Sequence, residues 1–158
     1  MGLAVIVILV SFSAHPQADS VQRIVSLNPS LTEILLSLDA RSLLVGVDDY
    51  SADHSASVSG LPKVGGLYSP SLEAVVALQP DLVVLVPSAE QRDFQERLQA
   101  LDIRVETFEN IRFEDVIENI RRLGVLTDRV SAANRRVEAA QRARSVAREV
   151  VGDLTPPR

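Results

Sequence analysis

The chain has 158 residues, 46% of them apolar and 23% charged, with a net charge of −5 and no cysteine. That length and composition suit one globular domain with a sizeable core, and the acidic balance argues against a nucleic-acid surface, which needs a basic excess. Without cysteine there can be no disulfide, thiolate metal site, cysteine nucleophile or lipid-anchored N-terminus in this sequence.

The first residues, MGLAVIVILVSFSAHPQADS, contain an apolar run from Leu3 to Val10. This is far short of the roughly 20 residues of a membrane-spanning helix. Followed by Ser11, Ser13, Ala14 and Ala18, it reads as the hydrophobic part of a secretory signal peptide over residues 1–18, although no Lys or Arg precedes it. A buried N-terminal strand is the competing reading. Export would place the mature chain in the periplasm.

From there short apolar runs alternate with amphipathic stretches. RIVSL (Arg23 to Leu27) predicts a strand and NPSLTEILLSLDA a helix; LLVGVD (Leu43 to Asp48) predicts a second strand, followed by a Ser-, Asp- and Gly-rich loop from Tyr50 to Gly66. SLEAVVAL predicts a helix and DLVVLV (Asp81 to Val86) a third strand with no polar alternation, so both of its faces should be buried. QRDFQERLQALD predicts a helix, RVETF a fourth strand, and FEDVIENIRRLGVL another helix. Ser131 to Val151 has Ala133, Val137, Ala140, Ala147 and Val150 at helical spacing without Gly or Pro, giving a helix of about 30 Å at ~1.5 Å per residue. The fold class is therefore α/β: a parallel sheet of about four strands flanked by helices, plus a long C-terminal helix.

Two helix starts look alike, NPSLTE and SPSLEA. In the first, Ser30 and Glu33 have the spacing of a capping box. In the second, Ser71 or Ser69 can cap, Pro70 is tolerated at the start, and Glu73 falls in the first turn, where the helix dipole favours a carboxylate. That account leaves Gly65, Gly66 and Tyr68, just upstream, unexplained.

Both starts sit at or beside the C-terminal ends of strands, outside which open α/β sheets bind ligands. Asn28, Pro29 and Ser30, Asp49 and Tyr50, Leu67 and Tyr68, and Pro87 and Ser88 should share one apolar, aromatic rim. Such a rim suits holding a large amphipathic ligand better than activating a small one. No catalytic constellation accompanies it: the sequence lacks a G-x-S-x-G elbow, a P-loop and a G-x-G-x-x-G loop. His54 reads as a solvated loop side chain. Asp48 and Asp49 stand where a phosphoacceptor would, but no Lys or Thr at a later strand end completes that site.

RIVSLNPSLTEILLSL, LVGVDDYS, LPKVGGLYSPSLEAVVALQPDLVV and the long terminal helix together resemble the periplasmic substrate-binding proteins of ABC importers for vitamin B12 and ferric siderophores. The resemblance runs from about Arg23 to Arg158, in order and with matching spacing. It implies two α/β lobes joined by one long helix, with ligand held in the cleft between them. Residues 22–127 would then be the N-terminal lobe, 128–152 the inter-lobe helix and 153–158 the start of a second lobe.

The resemblance further implies a binding protein and not an enzyme, with no catalytic residue, resident cofactor or protein-held metal. The ligand would be a corrinoid or ferric chelate, contacted by Asn28, Pro29, Ser30, Tyr50, Gly66, Leu67 and Tyr68. Tyr50 matches a position that contacts corrinoid. Glu73 matches a glutamate that docks onto arginines of the membrane permease, so the partners would be the importer's transmembrane subunits, with the membrane reached only through them. Two departures stand out: Leu67 occurs where the corrinoid-binding branch carries tryptophan, and DHSASVSG replaces a Tyr-Pro-Pro turn. The competing reading is a lone lobe that docks a partner without capturing ligand.

Overall fold

The structure, a computed structural model, describes residues 21–89 and 91–152. The expected signal peptide (1–18) and the stretch 153–158 lie outside the described residues. In chain order the elements are β1 (Ile24–Ser26), α1 (Pro29–Ser37), β2 (Leu44–Val47), α2 (Asp49–His54), β3 (Gly65–Gly66), β4 (Ser69–Pro70), α3 (Leu72–Ala77), β5 (Leu82–Leu85), α4 (Arg92–Gln99), β6 (Val105–Thr107), α5 (Phe113–Leu126) and α6 (Val130–Gly152).

Four strands form one parallel sheet in the order β2-β1-β5-β6. The unbroken LVVL run is β5, paired on both sides, and all four of its residues are buried. Alternation explains why it tolerates no polar residue. Leu82 and Val84 enter one core with Ile24 of β1, Leu31 and Leu35 of α1, Ile120 and Leu123 of α5 and Ala133 and Val137 of α6. Val83 and Leu85 enter the opposite core with Val25, Val75 of α3, and Phe94 and Leu98 of α4. The sheet is thus covered on both faces, as parallel sheets must be.

The first two turns of α6 are part of this core, since Ala132, Ala133 and Val137 are buried. Gly124 allows the close approach: a Cβ there would collide with the Cβ of Ala133. Farther along, Arg144 lies 4.4 Å over the Phe113 ring and 2.5 Å from Glu114, tying the middle of α6 to the start of α5. Among the described residues no helix is long and apolar enough to cross a membrane.

Local chemistry corrects three expectations. The cap of α1 is Asn28, not Ser30: its Oδ1 accepts from the Ser30 main-chain N–H (3.0 Å) and hydroxyl (2.7 Å), and Pro29 takes the first helical position. That moves the helix start two residues earlier and leaves Glu33 outside any capping box with Ser30. For α3 the cap is Ser71, one of the two expected, but Pro70 lies before it in β4 and not at the helix start. The segment expected as a loop from Tyr50 to Gly66 contains α2 and β3. Asp48 starts α2 by accepting from the Ser51 N–H at 2.9 Å and the Ser51 hydroxyl at 2.5 Å.

Candidate functional site

In the order β2-β1-β5-β6, the chain moves outward in one direction from β1 to β2 and in the other through β5 to β6. The topological switch point therefore lies between β1 and β5. At such a point the loops leaving neighbouring strands diverge and open a crevice beyond their carboxyl ends. A cavity of about 250 Å³ occupies that place. Leu27 and Asn28 line it from the end of β1, Val86, Pro87 and Ser88 from the end of β5, and Asn110 from beyond β6. Leu67 and Tyr68 enter from the hairpin tip and Gln91 from the start of α4.

The hairpin β3–β4 pairs Gly65 with Pro70 and Gly66 with Ser69, so Leu67 and Tyr68 form its turn. Gly65 has φ +104°, where a side chain is strained, and a Cβ would meet the Ser69 carbonyl oxygen at 2.8 Å. This explains Gly65 but not Gly66, where a Cβ would meet only the Ser69 Oγ at 3.4 Å; the chain folds back to hold Tyr68 out at the tip, 72% exposed. Gln91, buried, fastens the tip by donating its side-chain amide to the Leu67 carbonyl oxygen. The Gln91 N–H in turn donates to the Ser88 hydroxyl at 3.2 Å.

On the opposite lip Asn110 Nδ2 donates to Ser30 Oγ at 3.5 Å, and Ser30 Oγ donates to Asn28 Oδ1 at 2.7 Å. Beneath this lip runs a buried polar chain. Thr32 Oγ1 lies 2.9 Å from Ser26 Oγ and 3.3 Å from Ser51 Oγ, which reaches Asp48. It joins the starts of α1 and α2 under the rim, and its members Ser26, Thr32, Asp48 and Ser51 are all buried.

The structure therefore brings Asn28, Leu67, Tyr68, Pro87 and Ser88 together as expected, and adds Gln91 and Asn110. Pro29, Ser30, Gly66 and Tyr50 are not in the cavity lining. Beside the apolar and aromatic Leu27, Leu67, Tyr68, Val86 and Pro87, the lining includes three carboxamide residues and Ser88, and among the described residues no charged one. Tyr50 is the second residue of α2, at the end of β2, half exposed and stacked on His54. His54 is exposed, as expected of a solvated side chain, but it closes helix α2 and has a ring partner instead of lying in a loop.

Glu73 is the second residue of α3, one turn from the hairpin, and is exposed. A hydrogen bond from its own main-chain N–H, then one from the Ser71 hydroxyl (3.2 Å), holds its carboxyl below the ordinary range, and the Arg97 charge adds to this. Arg23 donates to the Leu78 and Gln79 carbonyls at the other end of α3, beside the strand starts, so Glu73 is on the cavity's end of the sheet. Among the described residues no group of three or more His, Cys, Asp or Glu could hold a metal ion. A shallower groove of about 340 Å³, lined by Glu106, Glu118, Arg121, Arg122, Val125 and Leu126, lies along the β6 edge and α5, away from the strand ends.

The sequence pattern of the periplasmic binding protein family matches residues 24–158. The vitamin B12-binding protein of Vibrio vulnificus (strain CMCP6) is 27% identical over 121 residues, covering 77% of this chain and 44% of that protein. That of Vibrio parahaemolyticus is 30% identical over 118 residues, covering 74% of this chain and 42% of that protein. Among solved structures, a periplasmic heme-binding protein from Pseudomonas aeruginosa superposes with a TM-score of 0.73 at 30% identity, covering 84% of this chain and 48% of that one. The periplasmic vitamin B12-binding protein of Vibrio cholerae gives 0.78 at 20% identity, covering 87% and 53%. The chain spans about half the length of the proteins it matches.

Proposed function

Because this chain belongs to the periplasmic binding protein family, we propose that it supplies one wall of a binding site for a flat metal chelate, a corrinoid or an iron–tetrapyrrole or siderophore chelate, and hands that ligand to an ABC importer. The family is one of binding proteins and not of enzymes. What carries the proposal is the position of the cavity. It opens at the topological switch point, where open parallel sheets place their ligands, with the exposed Tyr68 ring held beside it on a fastened hairpin.

The lining chemistry supports this ligand class. Asn28, Gln91 and Asn110 offer carboxamides suited to a ligand whose periphery carries amides or carboxylates, and Tyr68 offers a ring face to a conjugated plane. In the proposed delivery step, Glu73 presents an ionised carboxylate, on the same end of the sheet as the cavity, to arginines of the permease. Charge-assisted contacts of that kind orient the encounter and speed association.

Titrating cyanocobalamin and hemin into the purified chain, followed by absorbance, tests the ligand half of the proposal. Binding in the micromolar range or weaker is expected, because one wall covers only one side of the ligand, and a change of Tyr68 to alanine should weaken it further. Saturable binding that ignores Tyr68 and Asn28 would sink the site assignment. Absence of binding to either probe would favour a module that only docks a partner.

A further inference from the structure

The three carboxamides of the cavity are each held by one end, so hydrogen bonding fixes which end a ligand meets. Asn28 Oδ1 accepts from the Ser30 N–H at 3.0 Å and from the Ser30 hydroxyl at 2.7 Å. An N–H can only donate, so the oxygen faces Ser30, and the Asn28 NH2 has no partner among the described residues. The single Ser30 hydroxyl hydrogen points to Asn28, so Asn110 must donate to that hydroxyl. Its Nδ2 lies 3.5 Å away, which leaves Oδ1 without a partner among the described residues. Gln91 donates to the Leu67 carbonyl, which can only accept, and Oε1 is the end left over.

Gln91 is only 5% exposed. Among the described residues no buried side-chain nitrogen or oxygen lacks a partner. Gln91 Oε1 accepts no bond there, so it is open to solvent, through the cavity that Gln91 lines. Ser88 Oγ accepts the Gln91 N–H at 3.2 Å and keeps its own hydrogen for a ligand. The cavity thus presents two donors, the Asn28 NH2 and the Ser88 hydroxyl, and two acceptors, Gln91 Oε1 and Asn110 Oδ1. Among the described residues no positive charge lines it. The start of α1 is closed to an anion as well: the Ser30, Leu31 and Thr32 N–H groups all donate to Asn28, and Pro29 has none.

We propose that the cavity reads a neutral primary carboxamide on the edge of its ligand and discriminates against a carboxylate in the same place. This rests on the ligand reading above and decides between the two peripheries which that reading allows. A primary amide offers its carbonyl to Asn28 and Ser88, and its NH2 to Gln91 and Asn110. A carboxylate only accepts. It satisfies the donors but sets its lone pairs against the Gln91 and Asn110 oxygens, which lose water without gaining a partner. Sites built to bond an N–H reject analogues that lack it for this reason.

The test uses matched pairs that share a macrocycle: dicyanocobyrinic acid and its fully amidated form, and hemin with its propionates free or amidated. Each is titrated into the full 158-residue chain, followed by absorbance, with thermal midpoints recorded alongside. The titrations are run at low salt and at about 1 M salt, where the Debye length is about 3 Å. In any pair that binds, the amide should bind about three- to tenfold more tightly, the size of one net hydrogen bond. That ratio should survive high salt. Asn110→Ala removes one exposed acceptor and should lower the ratio by at least about twofold. Glu109→Gln, next to it but outside the lining, should leave the ratio in place. Equal affinities within a binding pair overturn the proposal, as does a ratio indifferent to Asn110→Ala. A ratio that vanishes in salt or with Glu109→Gln also overturns it, because the chain's net negative charge would then be the source. Failure of every probe to bind defeats the ligand reading itself and this inference with it; binding without an amide preference defeats this inference alone.

Discussion

Gln91, buried at the start of α4, donates its side-chain amide to the carbonyl oxygen of Leu67 at the hairpin tip, 24 residues earlier in the chain. This bond ties the most exposed element of the cavity to a buried part of its wall. Without it, the two-residue strands β3 and β4 would be a small hairpin held chiefly by their own pairing and by the Ser71 N–H bond to the Val64 carbonyl (2.8 Å). Isolated hairpins of that size are marginal in water.

Replacing Gln91 with alanine should therefore cost about 0.5–1.5 kcal/mol of stability, the net value of one such bond, and loosen the tip far more than the sheet. Amide exchange at Gly66 and Tyr68 should quicken while exchange at Val83 and Val84 is unaltered relative to global unfolding. Equal protection of the tip in both proteins would show that Gln91 does not hold it.

A second test concerns the junction of α5 and α6. Gly124→Ala gains about 1 kcal/mol of intrinsic helix preference, yet the new methyl meets the Ala133 side chain. Overpacking costs about 1–3 kcal/mol, so the net change should be destabilising. Ala133→Gly in the same chain should restore much of the loss. A Gly124→Ala protein with a raised melting temperature would mean that the two helices separate freely.

Acid should weaken the same junction. Hydrogen bonding from Arg144, foremost, holds the Glu114 carboxyl below its ordinary value, and Arg112 does the same for Asp115. A carboxyl depressed in the folded state contributes its stability above the unfolded value of about 4.3 and loses it as pH falls through the folded value. Glu114 is exposed to solvent, whereas the Asp115 side chain is largely covered, so the Glu114 contribution is small and screened by salt. Thermal midpoints measured from pH 7 to about 3 should fall less steeply for Glu114→Gln than for the parent, the two curves converging in acid. Parallel curves would remove Glu114 from the account.

The sheet was legible because β5 and its neighbours are apolar on both faces, a pattern few other contexts permit, and α5 has the expected bounds. The helix ends were less so. Asp39, Gln79 and Asp128 follow α1, α3 and α5 in the left-handed region, where the usual sequence signal is glycine or asparagine. Helix α2 was hidden because Asp-Tyr-Ser-Ala-Asp-His has little helix preference. It forms through the Asp48 cap and the burial of Ser51 and Ala52. Half of the cavity followed from strand ends. Gln91 was not legible because it acts from the start of the next helix, and Asn110 because it lies three residues beyond the end of β6.

Glu73 offers the sharpest separation of structure from function. Its carboxylate is exposed, has no ion-pair partner within 4.0 Å among the described residues, and accepts from the Ser71 hydroxyl at 3.2 Å. Ser71 caps α3 with or without it, by accepting from the Ala74 N–H. Glu73→Gln should therefore leave the fold and the affinity for cyanocobalamin or hemin unchanged, because the residue lies outside the cavity lining. If the carboxylate docks onto arginines, association with the detergent-solubilised importer should weaken. The salt dependence of the association rate should also flatten, since one steering charge is gone. Glu73→Asp, with the charge kept but drawn back, should fall between glutamine and the parent. An unfolded Glu73→Gln protein would make the residue structural. A variant that docks normally yet loses ligand would place Glu73 in the binding site and remove it from the importer interface.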